Sequence, residues 1–148
     1  MKKRENNFKK RLMSLMGTRW HAQSHEDSLS VGIPDLSYGI QGVNGWIELK
    51  QIDDFPEDES KVIRPKKYTP EQVNWLRNRG RKAGHCFIFV KIGKNSYYLL
   101  DWEFARLVRE GMTISEYRTY SDDYWEKSKI VPDQLVRVLT KTLSETPE

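Results

Sequence analysis

Apolar residues recur at helical spacing near the start of the chain. Between residues 5 and 16 they occupy one side of a helix, and lysines together with Arg11 occupy the other side. This pattern predicts an amphipathic helix whose basic residues face away from the core, and Gly17 is a typical stop signal for it. The apolar positions are Phe8, Leu12, Leu15 and Met16.

Three short strands are predicted next. Residues 19–25 alternate weakly between polar and apolar side chains, and two clearer segments cover residues 33–38 and 45–51. The stretch between these two segments is rich in turn residues. Its Asn44-Gly45 dipeptide is a strong signal for a hairpin turn.

A long polar connection over residues 52–68 leads to a second helix. Thr69 can cap that helix, Pro70 suits its first position, and Gln72 can complete a capping box. We expect the helix to end near Gly84, because glycine commonly follows the last helical residue.

The rest of the chain contains shorter patterns. A continuous apolar run at residues 86–90 is typical of a strand buried on both faces, and residues 97–100 predict a second strand that pairs with it as a hairpin. Two further helices are predicted, over residues 102–110 behind an Asp101 cap and from Pro132 to about Leu143. This order of elements predicts an α/β (α+β) fold, a mixed β-sheet flanked by helices.

Length and composition favour one domain over residues 1–148, since 37% of the residues are hydrophobic and 11% aromatic. No apolar run approaches the roughly 18 residues of a membrane helix, and no apolar stretch follows the basic N-terminus as in a signal peptide. The single cysteine, Cys86, cannot form an internal disulfide or a multi-thiolate zinc site. We therefore expect a cytoplasmic protein without a membrane partner.

The formal net charge of +4 hides a strong segregation of charge. Residues 1–19 carry +6 and residues 61–84 carry +7, whereas the rest of the chain carries −9. Two basic blocks favour binding to a polyanion, because neutralising phosphates releases counterions; two solvated faces would show the same composition. The residues expected to contact a DNA backbone are Lys9, Lys10, Lys66, Lys67, Arg77 and Arg81.

Three ionisable residues are expected to meet on the two neighbouring strands. Glu48 and Lys50 share one face of their strand. Asp35 can stand opposite Glu48 on the neighbouring strand. Two carboxylates at this distance repel each other unless a cation lies between them, and Mg²⁺ prefers oxygen ligands. The alternative interpretation is a salt bridge from Lys50 to Asp35 or Glu48 on an exposed strand face.

These residues fall in motifs that resemble the PD-(D/E)xK nuclease superfamily. The motifs are Gly-Ile-Pro-Asp ending at Asp35, Trp-Ile-Glu-Leu-Lys ending at Lys50, and Thr-Pro-Glu-Gln ending at Gln72. Small VRR-NUC-like and phage Holliday-junction-resolvase-like members are the most similar in pattern. The resemblance covers about residues 5–92, and the extension over about 97–148 carries no assigned motif.

The resemblance implies a restriction-endonuclease-like core and a set of site residues. Asp35 and Glu48 would bind Mg²⁺ (or Mn²⁺) with the backbone carbonyl of Leu49, and Glu5 is a further candidate ligand. Lys50 would be the catalytic lysine, with Gln72 close to the site.

The function implied is that of a metal-dependent DNA endonuclease in a phage or its prokaryotic host, with branched DNA such as a Holliday junction as a candidate substrate. Because a nuclease of this size has little surface to grip a duplex, we also expect a homodimer. A catalytically silent nucleic-acid-binding module with the same fold is the main alternative. An interaction protein without a nucleic-acid role is a further one.

Overall fold

A six-stranded mixed β-sheet lies at the centre of the computed structural model, which describes residues 2–25 and 31–142 and, for side chains, residues 7–25 and 31–142. The strands lie side by side in chain order, and every neighbouring pair is antiparallel except β3 and β4, which are parallel. The strands are β1 His21–Ser24, β2 Leu36–Ile40, β3 Val43–Ile52, β4 Cys86–Ile92, β5 Ser96–Asp101 and β6 Asp123–Trp125.

Helices cover both faces of the sheet. The helices are α1 Lys2–Met16, α2 Pro70–Ala83, α3 Ala105–Glu110, α4 Ile114–Tyr120 and α5 Pro132–Thr140. Apolar residues of α1 and α5 pack on one face, and those of α2, α3 and α4 pack on the other. The predicted mixed sheet flanked by helices is therefore confirmed. No helix within the described residues is both long and apolar enough to cross a membrane.

Strand β4 is buried on both faces, as its continuous apolar run predicts. Phe87 and Phe89 belong to the core under α1 and α5, whereas Ile88 and Val90 belong to the core under α2. The strand extends two residues beyond the predicted end and pairs with β5 as the predicted hairpin.

Helix α2 begins and ends as predicted. The Thr69 hydroxyl accepts a hydrogen bond from the backbone N–H of Gln72, and the Gln72 side-chain oxygen accepts one from the backbone N–H of Thr69. Gly84 ends the helix with φ of 84°, in the left-handed region that glycine adopts without steric cost.

The hairpin between β2 and β3 turns at Gln41-Gly42, so the prediction of a turn at Asn44-Gly45 is wrong. Ile40 pairs with Val43, which leaves two turn residues, and both have positive φ values, 51° and 83°. Gly45 instead lies within β3, beneath the ring of Tyr38. The Tyr38 ring packs over Gly45, and the Tyr38 hydroxyl donates a hydrogen bond to the Leu139 carbonyl of α5 at 2.7 Å.

The segment after β5 also differs from prediction. Asp101 is the last residue of β5, and its carboxylate makes no capping hydrogen bond but lies 3.2 Å from the Lys141 ammonium. A 3-10 turn over Trp102–Phe104 precedes α3, which starts at Ala105. Helix α5 ends at Thr140, and the predicted end at Leu143 lies outside the described residues.

Helix α4 and strand β6 were not predicted. The signal for α4 is present, because Thr113 and Glu116 form a capping box at its start. Strand β6 has only three residues and depends on its pairing with β5, so it has little signal of its own.

The connection over residues 53–69 contains no helix or regular strand, in agreement with the predicted loop. It is nevertheless held against the α3 region at two points. Ile63 forms a two-sided backbone bridge with Met112, and the Arg109 side chain donates a hydrogen bond to the Tyr68 carbonyl at 2.8 Å. The loop therefore has a defined position next to the start of α2.

Replacing Gly45 by alanine should destabilise the protein by about 1–3 kcal/mol, because the added methyl group would collide with the Tyr38 ring and lie 2.7 Å from the His85 carbonyl oxygen. Urea unfolding measures this cost. Gly39→Ala in the same hairpin is the matched control, since its methyl group would meet no atom closer than 3.4 Å. Equal effects of the two substitutions would contradict the packing of Tyr38 over Gly45.

Candidate active site

The β2–β3 register brings Asp35 next to Glu48. Leu36 pairs with Ile47, so Asp35, one residue before β2, adjoins Glu48. One carboxylate oxygen of Asp35, Oδ2, accepts a hydrogen bond from the backbone N–H of Leu49 at 2.8 Å. The two carboxyl groups are close enough for the charge of Asp35 to raise the pKa of Glu48. The structure thus brings together the two carboxylates that the sequence places on neighbouring strands.

Lys50 lies on the same face of β3 and is buried, with 3% of its surface exposed. Its ammonium is 3.2 Å from Glu48 Oε2 and donates hydrogen bonds to Gln72 Oε1 at 3.1 Å and to the Lys67 carbonyl at 2.6 Å. The ammonium also lies 4.8 Å from the ring centroid of Tyr68. An exposed salt bridge, the alternative interpretation from the sequence, does not describe this residue.

Glu48 is buried with only 2% of its surface exposed, and its Oε1 atom has no hydrogen-bond partner within the described part of the chain. Burial raises the pKa of its carboxyl group well above the ordinary value, and the charge of Asp35 raises it further. The Lys50 ammonium acts in the opposite direction but does not cancel these two effects. Burial and the charge of Asp35 thus make the ionised form of Glu48 less favourable than that of an exposed glutamate.

The donor atoms around Glu48 fit a hard divalent cation. An unpartnered, buried carboxylate oxygen and a second carboxylate beside it are the oxygen ligands that Mg²⁺ and Mn²⁺ prefer. The Leu49 N–H points toward Asp35, and in an extended strand the carbonyl of the same residue points to the same edge. Among the described residues no group of three or more His, Cys, Asp or Glu side chains forms a metal cluster. Besides these two carboxylates, the Leu49 carbonyl and water are oxygen ligands that a cation here could use.

The fourth predicted site residue, Gln72, has two partners at one atom. Its Oε1 accepts hydrogen bonds both from the Lys50 ammonium and from the backbone N–H of Thr69. The capping box that starts α2 thus also holds the lysine. Glu5, the further candidate ligand, lies in α1, but its side chain is outside the described residues.

Two contacts of the site were missed by the sequence analysis. Tyr68 is buried, its hydroxyl has no hydrogen-bond partner within the described chain, and burial together with the charges of Glu48 and Asp35 raises its pKa. The only indication in the sequence that Tyr68 contacts the site is its position directly before the helix cap Thr69. The Lys67 carbonyl is a main-chain atom and could not have been recognised from residue type.

The residues expected to contact DNA differ in exposure. Lys10, Lys66, Lys67 and Arg81 are exposed, and Arg77 is half-buried. Lys9 is buried, with 7% of its surface exposed, so the prediction that the basic residues of α1 face away from the core is wrong for this residue. Its ammonium donates a hydrogen bond to the Ser24 hydroxyl of β1 at 2.8 Å, which provides a partner inside the protein.

Comparison with known proteins gives a loose likeness among solved structures. No family model and no curated protein matches the sequence. Among solved structures, a Holliday junction resolvase from Archaeoglobus fulgidus is similar with a TM-score of 0.48 and 16% identity. The match covers 75% of this chain and 97% of that chain.

Replacing Glu48 by glutamine should stabilise the metal-free protein increasingly as the pH rises. The pKa of Glu48 is raised in the folded state, so its stabilising contribution is complete below the ordinary value of about 4.3 and is lost as the pH rises toward the folded-state pKa. Glutamine stays neutral and avoids this loss. Chemical unfolding in chelator at about pH 5 and about pH 8 measures the difference.

The matched control for this substitution is Glu57→Gln, which changes an exposed glutamate. We expect this substitution at an exposed position to change the unfolding free energy by no more than about 0.5 kcal/mol. A Glu48→Gln effect of the same size at both pH values would show that the buried carboxyl group does not titrate abnormally.

Proposed function

We propose that this protein is a metal-dependent endonuclease that hydrolyses phosphodiester bonds in DNA, with residues 1–148 forming one nuclease domain. The observation that carries this proposal is the buried Lys50 ammonium held at 3.2 Å from Glu48, beside the second carboxylate of Asp35. Burying Glu48 and Lys50 beside a third ionisable group, the half-buried Asp35, is costly for a fold, and a cation and an anionic substrate would compensate that cost.

Asp35, Glu48 and the backbone carbonyl of Leu49 are the residues that would hold Mg²⁺ or Mn²⁺, with Glu5 as a further candidate. When bound, the cation would lower the pKa of a coordinated water and offset negative charge on the phosphate. The Leu49 N–H fixes one Asp35 oxygen at 2.8 Å, which limits the motion of this carboxylate before a cation arrives.

Lys50 would orient the attacking water and offset charge that develops on a phosphate oxygen in the transition state. Its position is set in advance, because Glu48, Gln72 and the Lys67 carbonyl all contact its ammonium. A donor that is already oriented stabilises developing charge without reorganisation during the reaction. A water or phosphate oxygen would reach the ammonium by taking the place of one of these contacts.

The charge distribution supports a nucleic-acid substrate. Residues 61–84 carry +7 and include both the loop that touches Lys50 and helix α2. Exposed cations near the site would contact phosphates and give sequence-independent affinity. The residues proposed for this role are Lys10, Lys66, Lys67, Arg77 and Arg81. Lys9 is not among these proposed DNA contacts, because the residue is buried and its ammonium donates a hydrogen bond to Ser24.

Branched DNA, including the Holliday junction, is the substrate class that the sequence resemblance implies for this site. A homodimer would present two such sites to a branched substrate, one to each of two strands. An assay that compares DNA forms tests the preference for branched DNA directly.

The purified protein should cleave DNA with Mg²⁺ or Mn²⁺ and not with chelator. Asp35→Asn and Lys50→Met should each lower the cleavage rate on the order of 100-fold or more, because each removes charge stabilisation at the reacting phosphate. Plasmid, single-stranded DNA and a four-way junction are the substrates to compare, and gel analysis of initial rates measures the loss.

Lys94→Met is the matched control, since it removes an exposed lysine from the turn between β4 and β5. Thermal unfolding and DNA binding in chelator establish that each variant is folded and still binds. Cleavage in chelator, or full activity of Asp35→Asn, would refute the proposal. Salt-sensitive DNA binding by the wild type without cleavage under any metal condition would instead favour the silent binding module.

A further inference from the structure

Three aromatic rings adjoin the carboxylate site on the α2 face of the sheet. Trp46 precedes Glu48 by two residues on β3, and strand alternation puts both side chains on one face. The Trp46 ring meets the Trp75 ring of α2 edge to face, with centroids 4.9 Å apart. On another side the His25 ring lies 5.0 Å from Trp46 and hydrogen-bonds the Ser37 hydroxyl. The cluster is therefore continuous with the site.

Arg79 lies over two of these rings. It follows Trp75 by one helical turn, and its guanidinium carbon is 4.7 Å from the Trp75 ring centroid and 5.4 Å from the Trp46 centroid. Both distances are within the range of a cation–π interaction. The residue is nevertheless exposed, so the cation is held in place at the surface.

The N–H groups of Arg79 are uncommitted within the described part of the chain, where no carboxylate or carbonyl accepts a hydrogen bond from them. Other arginines of this protein differ in this respect. Arg118 binds Glu126 and Glu59, and Arg109 donates to the Tyr68 carbonyl. A guanidinium has five N–H donors in its plane, and packing on aromatic rings leaves the edges of that plane free to bind an anion.

We propose that Arg79, held on Trp46 and Trp75, is a preformed contact for a phosphate group of the nucleic-acid strand that enters the Asp35 and Glu48 site. This inference rests on the endonuclease function proposed above and adds a binding residue to it. The two indoles restrict the guanidinium before the substrate arrives, so less side-chain entropy is lost on binding. The planar fork of arginine matches a phosphate in two hydrogen bonds.

Neighbouring charges favour an anion at this place. Helix α2 also carries Arg77, Arg81 and Lys82, and its one acidic residue, Glu71, lies at the opposite end in the first turn. A contact to the phosphate backbone carries no base information, so Arg79 should strengthen binding to all DNA sequences alike.

The test is DNA binding in chelator, where no cleavage occurs, with a labelled single strand and a labelled four-way junction at several salt concentrations. Arg79→Gln should weaken binding about tenfold at low salt, as expected for loss of a charge-assisted hydrogen bond. The slope of log affinity against log salt should fall in magnitude by about 0.7–0.9, the value for one phosphate. Arg79→Lys should keep the slope and lose part of the affinity, because it keeps the charge without the planar fork.

Arg137→Gln is the matched control, because it removes an exposed arginine from α5 on the opposite face of the sheet. Thermal unfolding checks that all variants are equally folded. If Arg79→Gln matches Arg137→Gln in affinity and salt slope, Arg79 only packs on the indoles and the inference is overturned, while metal-dependent cleavage by the wild type would leave the endonuclease proposal intact. A wild type that binds no DNA at low salt would overturn both.

Discussion

A buried carboxyl group, a buried ammonium group and the half-buried carboxyl group of Asp35 meet on the α2 face of the sheet, and the surrounding structure must compensate their ionisation. Glu48 and Lys50 are 2% and 3% exposed, and a carboxylate oxygen of Glu48 has no partner within the described chain. Withdrawing such groups from water costs several kcal/mol per ion unless they are paired. The β2–β3 register supplies Asp35, and α2 supplies Gln72, so the sheet and the helix each contribute a side chain to this site.

The start of α2 and the site are joined by shared hydrogen bonds. Gln72 Oε1 accepts from both Thr69 and Lys50, and the Lys67 carbonyl accepts from the same ammonium. The loop before the helix is held to the α3 region by Arg109. A shift of this loop would therefore move the Lys50 ammonium. The chemistry at the sheet thus depends on the position of a long irregular segment.

Local signals predicted much of the fold, and tertiary contacts decided the rest. The capping box at Thr69 and the buried strand at residues 86–90 were recognisable because each depends on neighbours in sequence. The hairpin turn was misplaced because Gly45 is needed under the Tyr38 ring, which is a packing constraint and not a turn signal. The candidate site residues were recognisable from strand alternation, whereas the contact of Arg79 with the Trp46 ring depends on a distant strand and could not be recognised.

We propose that Asp35 and Glu48 form a cation site whose occupation displaces a proton. Calorimetric titration of Mn²⁺ into the DNA-free protein at about pH 6 and about pH 8 tests it most directly, since ligand deprotonation makes metal affinity pH-dependent. We predict one site per chain, tighter binding and less proton release at the higher pH, and loss of binding in Asp35→Asn. Binding that is absent, or that is equally strong in Asp35→Asn, would contradict the claim.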